Sequence, residues 1–322
     1  MTNEFKHLLL IRQDRVLTVR LSNPPLNFLT SAMMAELDAL LRELEGDGDI
    51  GAVILTGALP NVFLTHFDVD DLKAAANGMA MPLTPGVTNL ALRTESTLSH
   101  LPGARRLVNH TPAAGVAQMN LFHEVTARMR SLDKVFIAAI NGRAMGGGSE
   151  LALACDLRLM VDGGLETGQM IGQPEIFIGL IPGGGGTQML TRSIGVARAL
   201  ELCLDGKLLS PRQAHELGLV NQIVAAERLM DEALALAQRM ARRPASAVRA
   251  IKHLIYQCAS LSFNQGMAAE KAEFLSAATR GPTRHAMLAY AVHLERIVQS
   301  NHEFGVDDLR DWMDGTAVGF DI

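Results

Sequence analysis

The sequence predicts an α/β core reaching to about residue 225, followed by a helical C-terminal part. Three observations carry that reading. Short apolar runs alternate with stretches of helical period, half of the 29 glycines fall between Gly142 and Gly195, and the chain from Glu227 to about Ser300 is helical in pattern and rich in alanine. With 322 residues, the chain buries enough surface to fold without disulfide or metal staples.

Arg15 to Leu21 alternates apolar and polar residues and reads as a strand. Met33, Met34, Leu37, Leu40, Leu41 and Leu44 then recur at intervals of three and four, which places one apolar stripe on a helix capped by Thr30 or Ser31. Ala52 to Thr56 is a buried strand, and Gly57 to Leu72 reads as strand, loop and helix with Asp68 at the cap. Ala75 to about Gln118 carries Pro82, Pro85, Pro102 and Pro112 and is too long for an ordinary connection; it reads as a surface excursion or as a lid.

Val135 to Ile140 is a third strand, ended by the turn pair Asn141 and Gly142, with a helix running on through Leu151 to Cys155. Asp156 to Val161 and Asn221 to Ala225 are later strands. Pro244 and the pair Gly281 and Pro282 break the C-terminal helices. The boundaries are therefore 1–225 for the core, with an insertion at about 75–118, and 226–322 for the helical region with an extended tail. Trp312, the one tryptophan, is expected to dock on its own chain or on a neighbouring subunit.

Composition excludes several function classes. Aromatic residues make up only 4% of the chain, too few for base-stacking platforms, and 29 basic against 34 acidic residues form no single-sign arm. Nucleic acid is therefore not an expected partner. The uncharged stretch Ala74 to Leu92 contains two prolines, two glycines and two asparagines, too broken for a membrane helix, and the N-terminus lacks a signal-peptide pattern. Cys155, Cys203 and Cys258 lie far apart with no CxxC pair, which fits a reducing cytoplasm, and the histidines outside the loop at 65–68 show no metal spacing. No metal site is expected, and those histidines read as surface or core residues.

Two glycine-rich blocks carry the chemistry. In INGRAMGGGSELALACD a strand ends, three glycines let the backbone approach a ligand, and a helix begins with its free N–H groups aimed at the same spot. Glu150 falls in the first turn of that helix, where a carboxylate is also welcome for purely electrostatic reasons. In IGQPEIFIGLIPGGGGTQ, Glu175 follows Pro174 among apolar neighbours, either as a surface group or as a desolvated carboxyl with a raised pKa. Gly183 to Gly186 then form a second bend. Two carboxylates beside two such bends suit paired acid and base work.

The segments LSNPPLNFLT, AVILTG with VFLTHFDVDDL, INGRAMGGGSELALACDLRL, GQPEIFIGLIPGGGGTQ and LLSPRQAHELGLVNQIV together resemble the enoyl-CoA hydratase/isomerase (crotonase) family in order and approximate spacing. That resemblance implies a spiral of ββα units with a helical C-terminal region used in trimerisation, as a homotrimer or a dimer of trimers. It implies an acyl-CoA thioester as substrate, with coenzyme A part of that substrate and no further cofactor. By position, the backbone N–H groups of Phe67 and Gly147 form the oxyanion hole, Glu150 and Glu175 are the catalytic pair, and Leu26, His66 and Asp68 border the substrate.

Retention of both glutamates favours reversible hydration of a 2-enoyl-CoA. The alternatives are an isomerase, a thioesterase or a retro-aldol lyase on the same fold, or a CoA-ester-binding protein without catalysis. Departures from the family pattern are specific. His66 stands where glycine is usual and is expected to enter positive φ; Phe67 replaces a small residue; Asp70 stands where many relatives have lysine; and the Cys155–Glu175 segment is longer than usual.

Overall fold

The computed structural model describes residues 5–77, 84–98, 114–300 and 302–320. Strand β1 (Leu8–Gln13) pairs antiparallel with β2 (Val16–Leu21), and helix α1 (Ser31–Glu45) follows. Next come β3 (Ala52–Gly57) and β4 (Asn61–Leu64), then helices α2 (Val69–Asn77), α3 (Pro85–Leu98) and α4 (Ala114–Ser131). The same step repeats as β5 (Val135–Ile140), β6 (Gly142–Met145) and α5 (Gly147–Ala154), and again as β7 (Leu157–Val161), β8 (Ile171–Gly172) and α6 (Gly186–Ile194). The chain continues through α7 (Val196–Asp205), β9 (Leu208–Leu209), α8 (Pro211–Glu216) and β10 (Gln222–Val224). It ends in α9 (Leu229–Ala241), α10 (Ala245–Tyr256), α11 (Phe263–Ala278), α12 (Gly281–Gln299) and α13 (Arg310–Asp314).

Each ββα step sends its first strand into one sheet and its second into another. The large sheet has the order β1-β2-β3-β5-β7-β10 and the small one β4-β6-β8-β9. All pairings are parallel except β1 with β2 and β8 with β9. This is the expected spiral of ββα units. Because β4, β6 and β8 run parallel side by side, their carboxyl ends lie at one edge, so the loops that leave them meet there.

Successive side chains of a strand face opposite ways, and the large sheet uses this to build two cores. Leu17, Val19, Leu21, Val53, Leu55, Phe136, Ala138 and Ile140 pack with the α1 stripe of Met33, Met34, Leu37, Leu40, Leu41 and Leu44. Val16, Ala52, Ile54, Val135, Ile137 and Ala139 pack instead on Leu229, Ala233, Ala237 and Ala241 of α9. Thr30 caps α1 as its position suggested, its hydroxyl accepting from Met33 N at 3.2 Å.

Helix α10 is tied to the sheet by a buried charge cluster. Lys252 Nζ donates to Met129 O at 2.8 Å, Lys134 O at 2.7 Å and Asp156 Oδ2 at 2.8 Å, while Tyr256 donates its hydroxyl to Asp156 Oδ1 at 2.8 Å. The second core and this cluster join the C-terminal helices to the sheet. Trp312 does dock on its own chain: its ring meets Tyr290 edge-on at 4.8 Å, and its carbonyl accepts from Arg243 Nη1 at 2.9 Å.

Three sequence expectations change. Gly142, read as part of a turn leading straight into a helix, opens strand β6, and the helix starts only at Gly147. The described parts of the 75–118 segment are helical: Pro85 opens α3, a position where its missing N–H costs nothing, and α4 has begun by Ala114. Asn120 of α4 donates to Leu92 O at 3.0 Å and to the Glu95 carboxylate, holding α3 in place. Residues 78–83 and 99–113, on which the rest of the excursion or lid reading falls, lie outside the described residues. Strand β1 was not foreseen, because its LLL run leads straight into polar residues; it is an edge strand with Leu9 and Ile11 exposed. No helix among the described residues is long and apolar enough to cross a membrane.

Candidate active site

The loop after β4 carries Thr65 to Asp68. Leu29 bridges Phe67 in parallel fashion, with Leu29 N donating to His66 O at 2.9 Å and Asp68 N to Leu29 O at 2.8 Å. On its other side the loop pairs with β6 through Met145 N donating to Thr65 O at 3.0 Å. The next donor in that ladder is Phe67 N. Among the described residues no carbonyl meets it, because Gly146, the N-cap of α5, turns the chain away from the ladder at φ 50°.

Gly147 is the first residue of α5, and the first N–H groups of a helix have no partner within it. Among the described residues neither Phe67 N nor Gly147 N makes a hydrogen bond. The two are neighbours. A side chain at Gly147 would put its Cβ 3.5 Å from Phe67 N and 3.4 Å from Phe67 Cβ.

Glu150 lies one turn into α5 and is 3% exposed. Its Oε1 accepts from Gly184 N at 2.7 Å and Gly186 N at 2.8 Å. The carboxylate therefore answers the start of α6, rather than the dipole of its own helix. Burial raises its pKa to about 7; the Gly186 N–H works against the rise, the negative charge of Glu175 adds to it, and the Gly184 N–H again opposes it. Both bonds fall on Oε1, which leaves Oε2 for another partner.

The glycines beside Glu150 are there for space and for geometry. A Cβ on Gly184 would stand 2.2 Å from Phe122 Cε1 and 2.6 Å from Glu150 Oε2, whereas Gly185, the N-cap of α6, needs φ 104°.

Glu175 follows β8 in a short 3₁₀ turn, Glu175–Ile178. It is half-buried; Oε1 lies 2.9 Å from where a Gly146 Cβ would be, and Oε2 is buried with no hydrogen-bond partner among the described residues. Burial raises its pKa, opposed by its own backbone N–H. Two carboxyls with raised pKa values thus share one edge of the small sheet, alongside two unpaired N–H groups. This arrangement holds and moves protons next to an oxygen that gains negative charge.

The other sequence-derived site residues surround this point. His66 keeps an ordinary negative φ, since Asp14, Asn27 and Asn61 are the only non-glycine residues at positive φ among those described; the loop at 65–68 makes no left-handed bend. Its Nδ1 donates to Phe67 O at 2.7 Å and its ring lies against Phe28 at 4.9 Å. Asp68 Oδ1 accepts from Asp70 N at 2.8 Å, capping α2. Leu26 is exposed, and its carbonyl accepts the Thr65 hydroxyl.

A family model described as "Enoyl-CoA hydratase/isomerase" matches residues 12–95 and 108–296. The chain belongs to the enoyl-CoA hydratase/isomerase family. Among curated relatives, a "Probable enoyl-CoA hydratase" of Rhizobium meliloti is 30% identical over 289 residues, spanning 89% of this chain and 95% of the relative. The "Short-chain-enoyl-CoA hydratase" of Clostridium acetobutylicum is 28% identical over 288 residues, again with 89% and 95% covered. Of solved structures, enoyl-CoA hydratase from Bacillus anthracis superposes with a TM-score of 0.70 at 26% identity, covering 89% of this chain and 96% of the other.

Against this enoyl-CoA hydratase/isomerase framework, several residues at the site escaped sequence reasoning. Gln173 is 1% exposed, donates to Ser149 Oγ at 3.3 Å and leaves Oε1 buried without a partner among the described residues; its place directly before Pro174 and Glu175 was the available signal. Arg143 Nε donates to Thr65 Oγ1 at 2.9 Å. Phe122 and His123, on α4, touch the second glycine bend. No spacing pattern links a helix 60 residues away to that bend.

Proposed function

We propose that this chain is an acyl-CoA enzyme that adds water reversibly across the 2,3 double bond of an enoyl-CoA thioester. The observation that carries the reading is the pairing of two desolvated glutamates beside two unpaired backbone N–H groups. In this reading Phe67 N and Gly147 N hold the thioester oxygen as enolate character develops. Losing one such donor typically costs about 3 to 4 kcal/mol of transition-state stabilisation.

Ionised Glu150 takes a proton from the attacking water as the C–O bond forms at Cβ, and protonated Glu175 gives its proton to Cα as the enolate collapses. Dehydration reverses both transfers. Repulsion between Glu150 and Glu175 works against both carboxyls being ionised at once. His66, turned toward Phe28 and committed through Nδ1, acts as a wall of the acyl pocket. Leu26 and Asp68 flank the path of the CoA moiety. The reading needs no cofactor beyond the coenzyme A of the substrate.

The three cysteines are free, which supports a reducing, cytoplasmic setting. Self-association as a trimer or dimer of trimers accounts for the apolar side chains left bare on one chain, among them Phe177 at 67%, Ile181 at 74%, Leu204 at 68%, Phe263 at 80% and Phe274 at 70% exposure.

A panel of 2-enoyl-CoA esters tests the function. Loss of the conjugated enoyl-thioester absorbance with formation of the 3-hydroxyacyl-CoA is expected. Release of free coenzyme A, a moved double bond or chain cleavage instead assigns the thioesterase, isomerase or lyase alternative.

A further inference from the structure

The peptide unit joining Gly183 and Gly184 is held at both ends. Its N–H, from Gly184, donates to Glu150 Oε1 at 2.7 Å, and its carbonyl, on Gly183, accepts from His123 Nε2 at 2.9 Å. A carbonyl only accepts, so Nε2 carries the proton there. His123 donates in this way whether the ring is neutral or protonated.

One turn of α4 surrounds the same unit. A Cβ on Gly183 would stand 3.3 Å from Met119 Cε, and one on Gly184 would run into the Phe122 ring. Met119, Phe122 and His123 fall at i, i+3 and i+4, on one helical face. A peptide flanked by glycines on both sides turns over at little steric cost. Turned over, this one would present its carbonyl oxygen to the Glu150 carboxylate.

We propose that His123 is a positioning residue for Glu150, pinning the Gly183–Gly184 peptide so that its N–H stays on the carboxylate. The inference deepens the hydratase reading and rests on it for its catalytic consequence, though not for its geometry. His123 is exposed and touches neither carboxyl. It acts through the peptide, and Phe122 and Met119 restrict the space in which that peptide moves.

The consequence is read on Glu150 itself. The charged or titratable groups facing that carboxyl are Glu175 from the 3₁₀ turn and, farther off, Cys203 from α7, whose own pKa is raised by burial and by both glutamates; His123 is the one on α4 that touches the bend. Gly184 N–H favours the ionised form, so loosening it moves the titration of Glu150 upward.

The test uses the full chain with ¹³C-labelled glutamate carboxyls, the Glu150 resonance being assigned by its loss in Glu150→Gln. In His123→Ala the Glu150 midpoint is expected to rise by about half a pH unit or more, and in His123→Gln, which keeps an N–H donor at similar reach, to return toward the unsubstituted value. Turnover on an enoyl-CoA is expected to fall about tenfold or more in His123→Ala with KM little changed, and to recover in His123→Gln. An unmoved Glu150 titration in His123→Ala overturns the proposal, and so does an equal shift in both variants, which would assign the effect to ring bulk. If the titrations behave as expected and the unsubstituted protein adds no water to any enoyl-CoA, the positioning role stands and the hydratase reading fails.

Discussion

The backbone N–H of Gly186 donates to Oε1 of Glu150 at 2.8 Å, so a carboxylate carried by one helix sits at the amino end of the next. The bond offsets part of the cost of burying the carboxyl, and the group is left titrating near neutrality, close to where a proton-transfer group is most effective.

The pH dependence of turnover follows. Hydration in this account needs Glu150 ionised, and its pKa is about 7, so kcat is expected to fall as pH drops below about 7, approaching tenfold per unit. A rate constant that stays level from pH 5.5 to 8 contradicts the assignment.

Stability carries the same signature with opposite use. The native state keeps the Glu150 proton up to about pH 7, while an unfolded glutamate loses it near 4.5, so the native state binds more protons in between and stability falls as pH rises through that window. Glu150→Gln removes this penalty. The variant is expected to be more stable than the unsubstituted chain at pH 8, by at most about 3 kcal/mol, with the difference shrinking toward pH 4.5. Paired denaturant titrations at the two pH values measure it.

The oxyanion donors are tested by proline. Gly147 is the first residue of α5, a position that accepts proline, so Gly147→Pro deletes the N–H at little cost to the helix. A fall in kcat of about 10² to 10³ is expected. Gly147→Ala keeps the N–H and crowds Leu29 and Phe67 at 3.3 to 3.5 Å, so it should lose less. Equal losses in the two variants argue against the N–H.

The buried cluster under α10 predicts a large structural effect away from the site. Lys252→Met leaves Asp156 without its cation and two carbonyls without a donor, which is expected to cost about 3 to 5 kcal/mol in an unfolding titration. A loss under about 1 kcal/mol would mean that other polar groups or water satisfy Asp156.

Sequence pattern exposed those parts of the molecule that are periodic. The α1 stripe and the runs from Val135 and Ala52 follow from spacing, and Thr30 from cap chemistry, because each depends on near neighbours in the chain. The site is a different matter. Glu150 and Glu175 were visible as carboxylates beside glycines, yet Phe67 and Gly147 contribute only backbone and were reached through family resemblance. His66, standing where glycine is usual in the family, keeps a negative φ because the loop at 65–68 runs alongside Leu29 as a strand would. Gln173, Phe122 and His123 were overlooked because their roles arise from α4 and β8 closing over a bend distant in sequence, and Leu29 pairs with Phe67 outside any regular strand.

Joint action of Glu150 and Glu175 on water is tested most directly by the rate of heavy-oxygen incorporation at Cβ when an enoyl-CoA is turned over in ¹⁸O-labelled water. The account predicts incorporation by the unsubstituted chain and a fall of about a hundredfold or more in both Glu150→Gln and Glu175→Gln, with CoA-ester binding retained. Undiminished incorporation in either variant, or deuterium exchange at Cα without heavy oxygen at Cβ, would contradict it.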